Sequence, residues 1–319
     1  MKTNSIKAWF LAARPKTLTG AVAPVIVGGA LAWCDTFGRT LASSRRLFEV
    51  GHDSNVYLTS HFISYIVPFV LCLLFAMVMQ IDANFVNDWW DARKGTDRED
   101  RLGPERACAQ GWITSRAMVI GIVITTLLAC AIGMLLLLWH LQWELLIVGV
   151  MCVLGCFLYT LKLSYIGMGD LLVVVFFGIV PVGFTYYVIT NGLWTMPVTL
   201  AGLGMGLATD NLLMVNNYRD VEQDKISGKR TLVVRYGKEF GLQAYLWLGV
   251  VAMMFAIASI MCVGNRGVLM VLYLVLHIVT FMKMRKLTGK ALNAVLGSTA
   301  RNIFIYGLLM ALSLMLGGH

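Results

Sequence analysis

Along this chain long apolar runs alternate with short polar connections, and nine such runs can be drawn, at 17–35, 62–86, 113–139, 143–161, 168–190, 195–217, 240–263, 267–282 and 296–316. Each is close to the length an α-helix needs to cross a hydrocarbon core of roughly 30 Å, the eighth being the shortest. In lipid every backbone polar group must be satisfied internally, which leaves helices as the means of crossing for runs of this length. The pattern therefore predicts an all-α polytopic membrane bundle of about nine transmembrane helices, a single domain over 1–319. Breaks at Pro24 and Pro181 are tolerated where neighbouring helices cover the backbone. Residues 36–60 read as a polar connection, and the loops at 92–112 and 221–238 as caps over one end of the bundle.

Composition agrees with that reading: 58% of the residues are apolar, 13% are charged and the mean hydropathy is +0.75, outside the range of a soluble domain. The net charge of +9 does not mark a nucleic-acid binder, because the basic residues alternate by loop. They crowd the N-terminus and the connections after the second, sixth and eighth runs, and are absent from those after the third and fifth. By the positive-inside rule the N-terminus is then cytoplasmic, with Arg39, Arg45 and Arg46 as the one exception. No cleavable leader is expected, since the first apolar run is too long and lacks a small-residue cleavage pattern. The seven scattered cysteines and five histidines show no paired ligand spacing and read as packing residues.

Two acidic segments break the apolar pattern, each at the inner end of a run. The first contains Asn84, Asn87, Asp88 and Asp91, then Gly95, Asp97 and the basic series Arg98, Arg101 and Arg106. The second contains Asp210 and Asn211, then Asn216, Asn217, Arg219, Asp220 and Asp224, followed by Lys225, Lys229 and Arg230. An aspartate near the centre of a membrane helix costs roughly 2.5–3.5 kcal/mol, so the clusters call for compensation. On a helix, 84, 87, 88 and 91 share one face, as do 216, 220 and 224, giving two stripes of hard oxygen ligands. Carboxylates beside guanidinium and ammonium groups suit a diphosphate, with magnesium bridging carboxylate and phosphate oxygens. A proton or cation transport pathway also accounts for intramembrane acids and is the reading from another class.

With these residues in view the chain resembles the UbiA superfamily of intramembrane prenyltransferases over essentially its whole length, and within it the branch that prenylates 1,4-dihydroxy-2-naphthoate in menaquinone synthesis. The likeness rests on Ala13 to Leu18, on Asn84 to Asp91 with Gly95, Asp97, Arg98, Gly103 and Pro104, and on Leu158-Tyr159-Thr160. It continues through Gly167 to Asp170, Phe176-Phe177-Gly178, Tyr186-Tyr187, Asn216 to Asp220 and Gly228 to Leu232. The first motif departs from the superfamily's commonest spacing, with Gly95 where a third aspartate usually stands and Asp97 as the next acid, a variant the naphthoate branch shares. Asp170 replaces a frequent glutamate, and 36–60 resembles an insertion.

The resemblance implies a bacterial cytoplasmic-membrane enzyme whose site lies near the cytoplasmic face, with two Mg²⁺ ions held by Asn84, Asp88, Asp91 and Asp97 on one side and Asp220 and Asp224 on the other. Arg98, Arg101, Arg219, Lys225, Lys229 and Arg230 would take the diphosphate. Arg14, Lys16, Asn84, Asn87, Tyr159, Asn216 and Asn217 would meet the substrates, a polyprenyl diphosphate and an aromatic acid. An apolar cavity would shelter the allylic cation, with Tyr159, Phe176, Phe177, Tyr186 and Tyr187 as candidate walls and a lateral opening for the prenyl tail. Another aromatic acceptor such as 4-hydroxybenzoate, or a cation-coupled transporter, are the competing functions; no nucleic-acid partner is expected.

Overall fold

The computed structural model describes residues 2–49, 54–95, 101–158 and 167–316. Among them, seven helices are long and apolar enough to cross a membrane by length and composition. The chain begins with α1 (Ile6–Ala13), whose first turn is capped by Ser5 accepting from the Ala8 amide. Arg14 then takes a left-handed conformation (φ 50°), which an L-residue adopts at a cost of roughly 1–2 kcal/mol, so α1 ends abruptly. The Arg14 carbonyl is repaid by two donors, the Thr17 amide and hydroxyl, both at 2.9 Å. The short 3₁₀ turn Pro15–Thr17 leads into α2 (Leu18–Glu49), and α3 (Ser54–Lys94) follows.

The span 36–60, read as a polar connection, is thus helical up to Glu49 and again from Ser54. Hydropathy marks where lipid ends; backbone hydrogen bonding continues past that point through residues such as Leu41, Ala42 and Leu47 that favour a helix. Next come α4 (Ser115–His140) and α5 (Trp143–Leu158). The fifth run becomes α6 (Gly169–Val174), a π turn (Val175–Ile179) and α7 (Val180–Ile189), continuous with one another. The π turn has a local cause. Pro181 has no amide for the carbonyl of Phe177 and its ring would strike that carbonyl, and a widened turn relieves both problems.

The sixth run is α8 (Met196–Arg219), followed by α9 (Val221–Ile226) and α10 (Leu232–Tyr236) of the cap, then α11 (Lys238–Cys262), α12 (Met270–Lys286) and α13 (Leu292–Leu316). The fourth and eighth predicted runs therefore do form helices, but α5 has 16 residues and α12 has 17, short of the length of the other seven. A count of nine spanning helices is not established by these lengths.

The core lies on the α2, α7, α8, α11, α12 and α13 side, where Ala23, Val182, Met205, Ala252, Tyr273 and Tyr306 are buried together. Close approach is made by small residues. A β-carbon on Gly178 of the π turn would fall 2.3 Å from the Gly202 carbonyl oxygen, and one on Gly206 would fall 2.6 Å from the Val174 carbonyl oxygen, so only glycines permit this crossing. The other side, α4 and α5, shows the opposite character. Ile124, Leu127, Leu135, Leu146 and Met151 point outward and are exposed, a surface compatible with lipid and not with water.

Helices α3, α4 and α5 are fastened by Asp82, a fully buried carboxylate that accepts from the Thr125 and Thr126 hydroxyls, with the Cys156 thiol at 4.0 Å. Replacing Asp82 with Ala takes the carboxylate acceptor from two half-buried hydroxyls, of which Thr125 keeps the Gly121 and Ile122 carbonyls. We expect Asp82→Ala to destabilise the protein by roughly 1–3 kcal/mol, seen as a lower melting temperature in detergent; an unchanged melting temperature contradicts this clip.

Candidate active site

Between the two halves lies a cavity of about 340 Å³ lined by Thr17 and by α2, α3, α4, α5, α6–α7 and α8. The wall from α3 runs Cys72, Phe75, Ala76, Met79, Gln80, Ala83, Asn84 and Asn87, the i, i+3, i+4 row of one helix face. The wall from α8 runs Thr209, Leu212, Leu213 and Asn216 with the same period. Extended toward the cap, the first row leads into Asp88 and Asp91 and the second into Asp220. Asn84, Asn87 and Asn216 thus form the polar end of the cavity, and Asp88, Asp91 and Asp220 lie just beyond its lining, most of which is apolar, including Phe176, Phe177, Val180, Phe184 and Val188.

The first stripe is organised by hydrogen bonds on both sides. Asn84 donates from Nδ2 to the Ala13 carbonyl at 2.9 Å and to Thr17 Oγ1 at 3.0 Å, and its Oδ1 accepts from Gln80 Nε2 at 3.3 Å, which ties α3 to the turn after α1. Asp88 is buried and accepts the Ala107 and Cys108 amides, both at 2.9 Å, while Asp91 pairs with Arg106 at 2.9 Å. The loop after α3 is thereby seated on the stripe, with Ala107 and Ile113 packed on Phe85 and Val86. Arg14 has Asp88, Asp91, Arg101 and Arg106 as charge neighbours, and its Nη2 is buried without a hydrogen-bond partner. An orphaned guanidinium nitrogen among fixed charges marks a place where an anion would be bound.

The second stripe reaches the same loop. Arg219 holds Asp220 through Nε at 2.7 Å and Nη2 at 2.6 Å, and donates from Nη1 to Asn293 Oδ1 at 2.7 Å. Asn293 in turn donates to the Leu102 carbonyl at 2.9 Å. A β-carbon on Gly103 would come within 2.9 Å of Arg219 Nη2 and 3.3 Å of Arg101 Nη2, so both guanidinium groups gather at one glycine. Residues 102–108 therefore connect the two motifs. Asp224 is buried and pairs with Lys229 at 3.4 Å, with Arg219 as a second, more weakly acting cation. Its carboxyl titrates above the usual carboxylate range because burial outweighs the pull of Lys229.

Not every predicted residue lies here. Asp97, Arg98 and Tyr159 fall outside the described residues. Lys16 and Arg230 are exposed, and Lys225 is turned to Glu222 at 3.3 Å on the outer face of α9, because 225 is one residue past the 220/224 face. Asn217 is buried but does not line the cavity, being about 100° around α8 from Asn216. Phe176 and Phe177 line the cavity as expected, whereas Tyr186 faces α2 and donates to Asp35, and Tyr187 packs on Phe184. Phe75 and Phe184 take the wall positions instead. Thr17, Gln80 and Asn293 were not anticipated; only Gln80, four residues before Asn84, carried a periodic signal.

Among the described residues no three His, Cys, Asp or Glu side chains gather into a metal site. The donor set nevertheless fits Mg²⁺, which keeps several waters and is held through one or two carboxylates plus substrate phosphates and not by an all-protein cage. Asp88, Asp91, Asp220 and Asp224 are oxygen donors with lone pairs to spare beyond their present bonds.

Comparison with known proteins places this geometry in context. Residues 55–308 match the model of the UbiA prenyltransferase family. The chain is 36% identical over 244 residues to the 1,4-dihydroxy-2-naphthoate octaprenyltransferase of Escherichia coli, covering 73% of this chain and 69% of that protein. It is 32% identical over 248 residues to the protein of the same name from Haemophilus influenzae, covering 74% and 71%. Among solved structures, a UbiA homolog from Aeropyrum pernix superposes with a TM-score of 0.64 at 14% identity, over 93% of this chain and 97% of that one. A homolog from Archaeoglobus fulgidus bound to DMAPP and Mg²⁺ superposes with a TM-score of 0.57 at 12% identity, over 95% and 98%.

Proposed function

This chain belongs to the UbiA prenyltransferase family and is an aromatic prenyltransferase of the membrane, and from that premise we propose that it transfers a polyprenyl group from polyprenyl diphosphate to 1,4-dihydroxy-2-naphthoate with loss of CO₂. The observation that carries the reading is the pair of acidic stripes at one end of one apolar cavity, both tied to residues 102–108. The names of the relatives support the naphthoate as acceptor, and the Archaeoglobus fulgidus homolog supports Mg²⁺ as cofactor.

In this account Asp88, Asp91, Asp220 and Asp224 hold the metal, which neutralises the diphosphate as a leaving group when bound. Arg14, with its free Nη2, and Arg101 contact the anion. The apolar walls exclude water from the allylic cation; Phe176 and Phe177 offer it their ring faces. The naphthoate attacks through its carboxylate-bearing carbon, and the electron pair of the bond to CO₂ returns to the ring, so the step balances without net proton transfer. A bundle with the N-terminus and cap on the cytoplasmic side of a bacterial inner membrane accommodates a water-soluble acceptor at the cap. The tail would reach lipid from the cavity, which at about 340 Å³ is near the small end of ligand pockets.

The test is purified protein in detergent with polyprenyl diphosphate, the naphthoate and Mg²⁺, read by mass spectrometry. We expect a prenylated naphthoquinol, and none after chelation of the metal. Prenylation of 4-hydroxybenzoate in preference to the naphthoate moves the acceptor assignment; absence of diphosphate release with every acceptor rejects the activity.

A further inference from the structure

Away from the cavity, a second recess lies at the cap end of the bundle between the start of α11 and the end of α12. Leu242, Leu246 and Phe281 make its apolar floor, and Tyr218, Glu239, Gln243 and Arg285 make the larger polar part around it. Two features of the rim are unusual. Glu239 and Arg285 border the same recess yet form no ion pair with each other. Glu239 is bonded to Gln243 Nε2 at 3.4 Å, and Arg285 lies 5.9 Å from the centre of the Phe281 ring. Opposite charges held apart across an apolar floor are complementary to a ligand that carries both signs at a fixed separation.

The surroundings say which kind of ligand. The recess opens onto the outer face of α11 and α12, where Trp247, Ile278 and Met282 are exposed apolar side chains of a membrane protein. Lys283 and Lys286 share the last turn of α12 with Arg285, at the negative end of the helix dipole, and a basic cluster of this kind attracts anionic lipid groups. We propose that this recess binds an aminophospholipid, with the phosphate on Arg285, the primary ammonium on Glu239 and the upper acyl chain over Leu246 and Phe281. An ammonium donates hydrogen bonds to Glu239 that a quaternary amine cannot, so the site discriminates phosphatidylethanolamine from phosphatidylcholine. Tyr218, on the rim, belongs to the second acidic segment and adjoins Arg219, which holds Asp220.

Native mass spectrometry of the full chain released from vesicles of equal parts phosphatidylethanolamine and phosphatidylcholine tests it. We expect retention of phosphatidylethanolamine over phosphatidylcholine by about tenfold, the ratio expected for one charge-assisted hydrogen bond. Glu239→Gln brings the two lipids to near parity, Glu239→Lys shifts retention toward phosphatidylglycerol when that lipid is added, and Arg285→Gln lowers retention of all three. Both positions are exposed, so melting temperatures close to wild type are expected and are measured alongside. Retention in bulk proportion by the wild type, a preference for phosphatidylglycerol in the wild type, or an unchanged preference in Glu239→Gln each overturns the assignment.

Discussion

Asp88→Ala and Asp220→Ala are each expected to lower turnover by several decades while the protein remains inserted and monodisperse. Each removes a hard oxygen ligand from a metal in a low-dielectric site, and each decade of rate corresponds to about 1.4 kcal/mol. The two variants should differ in what else they lose. Asp88 also holds the Ala107 and Cys108 amides, so its loss loosens the loop that joins the motifs. Asp220 is held by Arg219 alone among the bonds described and anchors no backbone. Limited proteolysis of the loop should therefore accelerate in Asp88→Ala and not in Asp220→Ala, with turnover lost in both. Substantial activity in either variant contradicts the metal assignment.

The second large effect concerns the cavity. Gly149 of α5 lines it, and a β-carbon there would meet no atom within 4 Å, so a side chain can be added at this position and extended into the cavity. Gly149→Trp should fill the apolar part and leave the polar end at Asn84, Asn87 and Asn216 intact. For a long polyprenyl diphosphate kcat/KM is expected to fall by about two decades, equivalent to about 2.7 kcal/mol of transition-state stabilisation. For dimethylallyl diphosphate the fall should be less than about threefold, because the first isoprene unit stays near the diphosphate. Steady-state kinetics with donors of graded length decide the matter; equal losses for short and long donors place the prenyl chain elsewhere.

Much of this site could be read from the sequence because its physics is periodic. The spacing of Asn84, Asn87, Asp88 and Asp91 marks one face of a helix wherever that helix is packed; Asn84 and Asn87 line the cavity, and Asp88 and Asp91 lie beyond it against residues 106–108. Likewise Asn216 lines the cavity and Asp220 lies beyond it. What was not legible depends on contacts between distant segments. Asn293 joins the two motifs through Arg219 and Leu102, and nothing local to residue 293 announces it. Thr17 is set beside Asn84 by the left-handed turn at Arg14, a backbone conformation that a single arginine before a proline does not signal. Tyr186 looked like a cavity wall by type, but the π turn ahead of it rotates α7 so that it meets Asp35. Spanning helices were found by hydropathy with good positions, yet their true ends were set by hydrogen bonding, as the extension of α2 to Glu49 shows.

The transfer chemistry itself is most directly tested by following the carboxylate. With 1,4-dihydroxy-2-naphthoate labelled in its carboxyl group, purified protein, Mg²⁺ and a polyprenyl diphosphate, labelled CO₂ should appear in a one-to-one ratio with prenylated quinol, and both should vanish in Asp220→Ala. A prenylated product that retains the labelled carboxylate, or CO₂ release that persists without the prenyl donor, would contradict it.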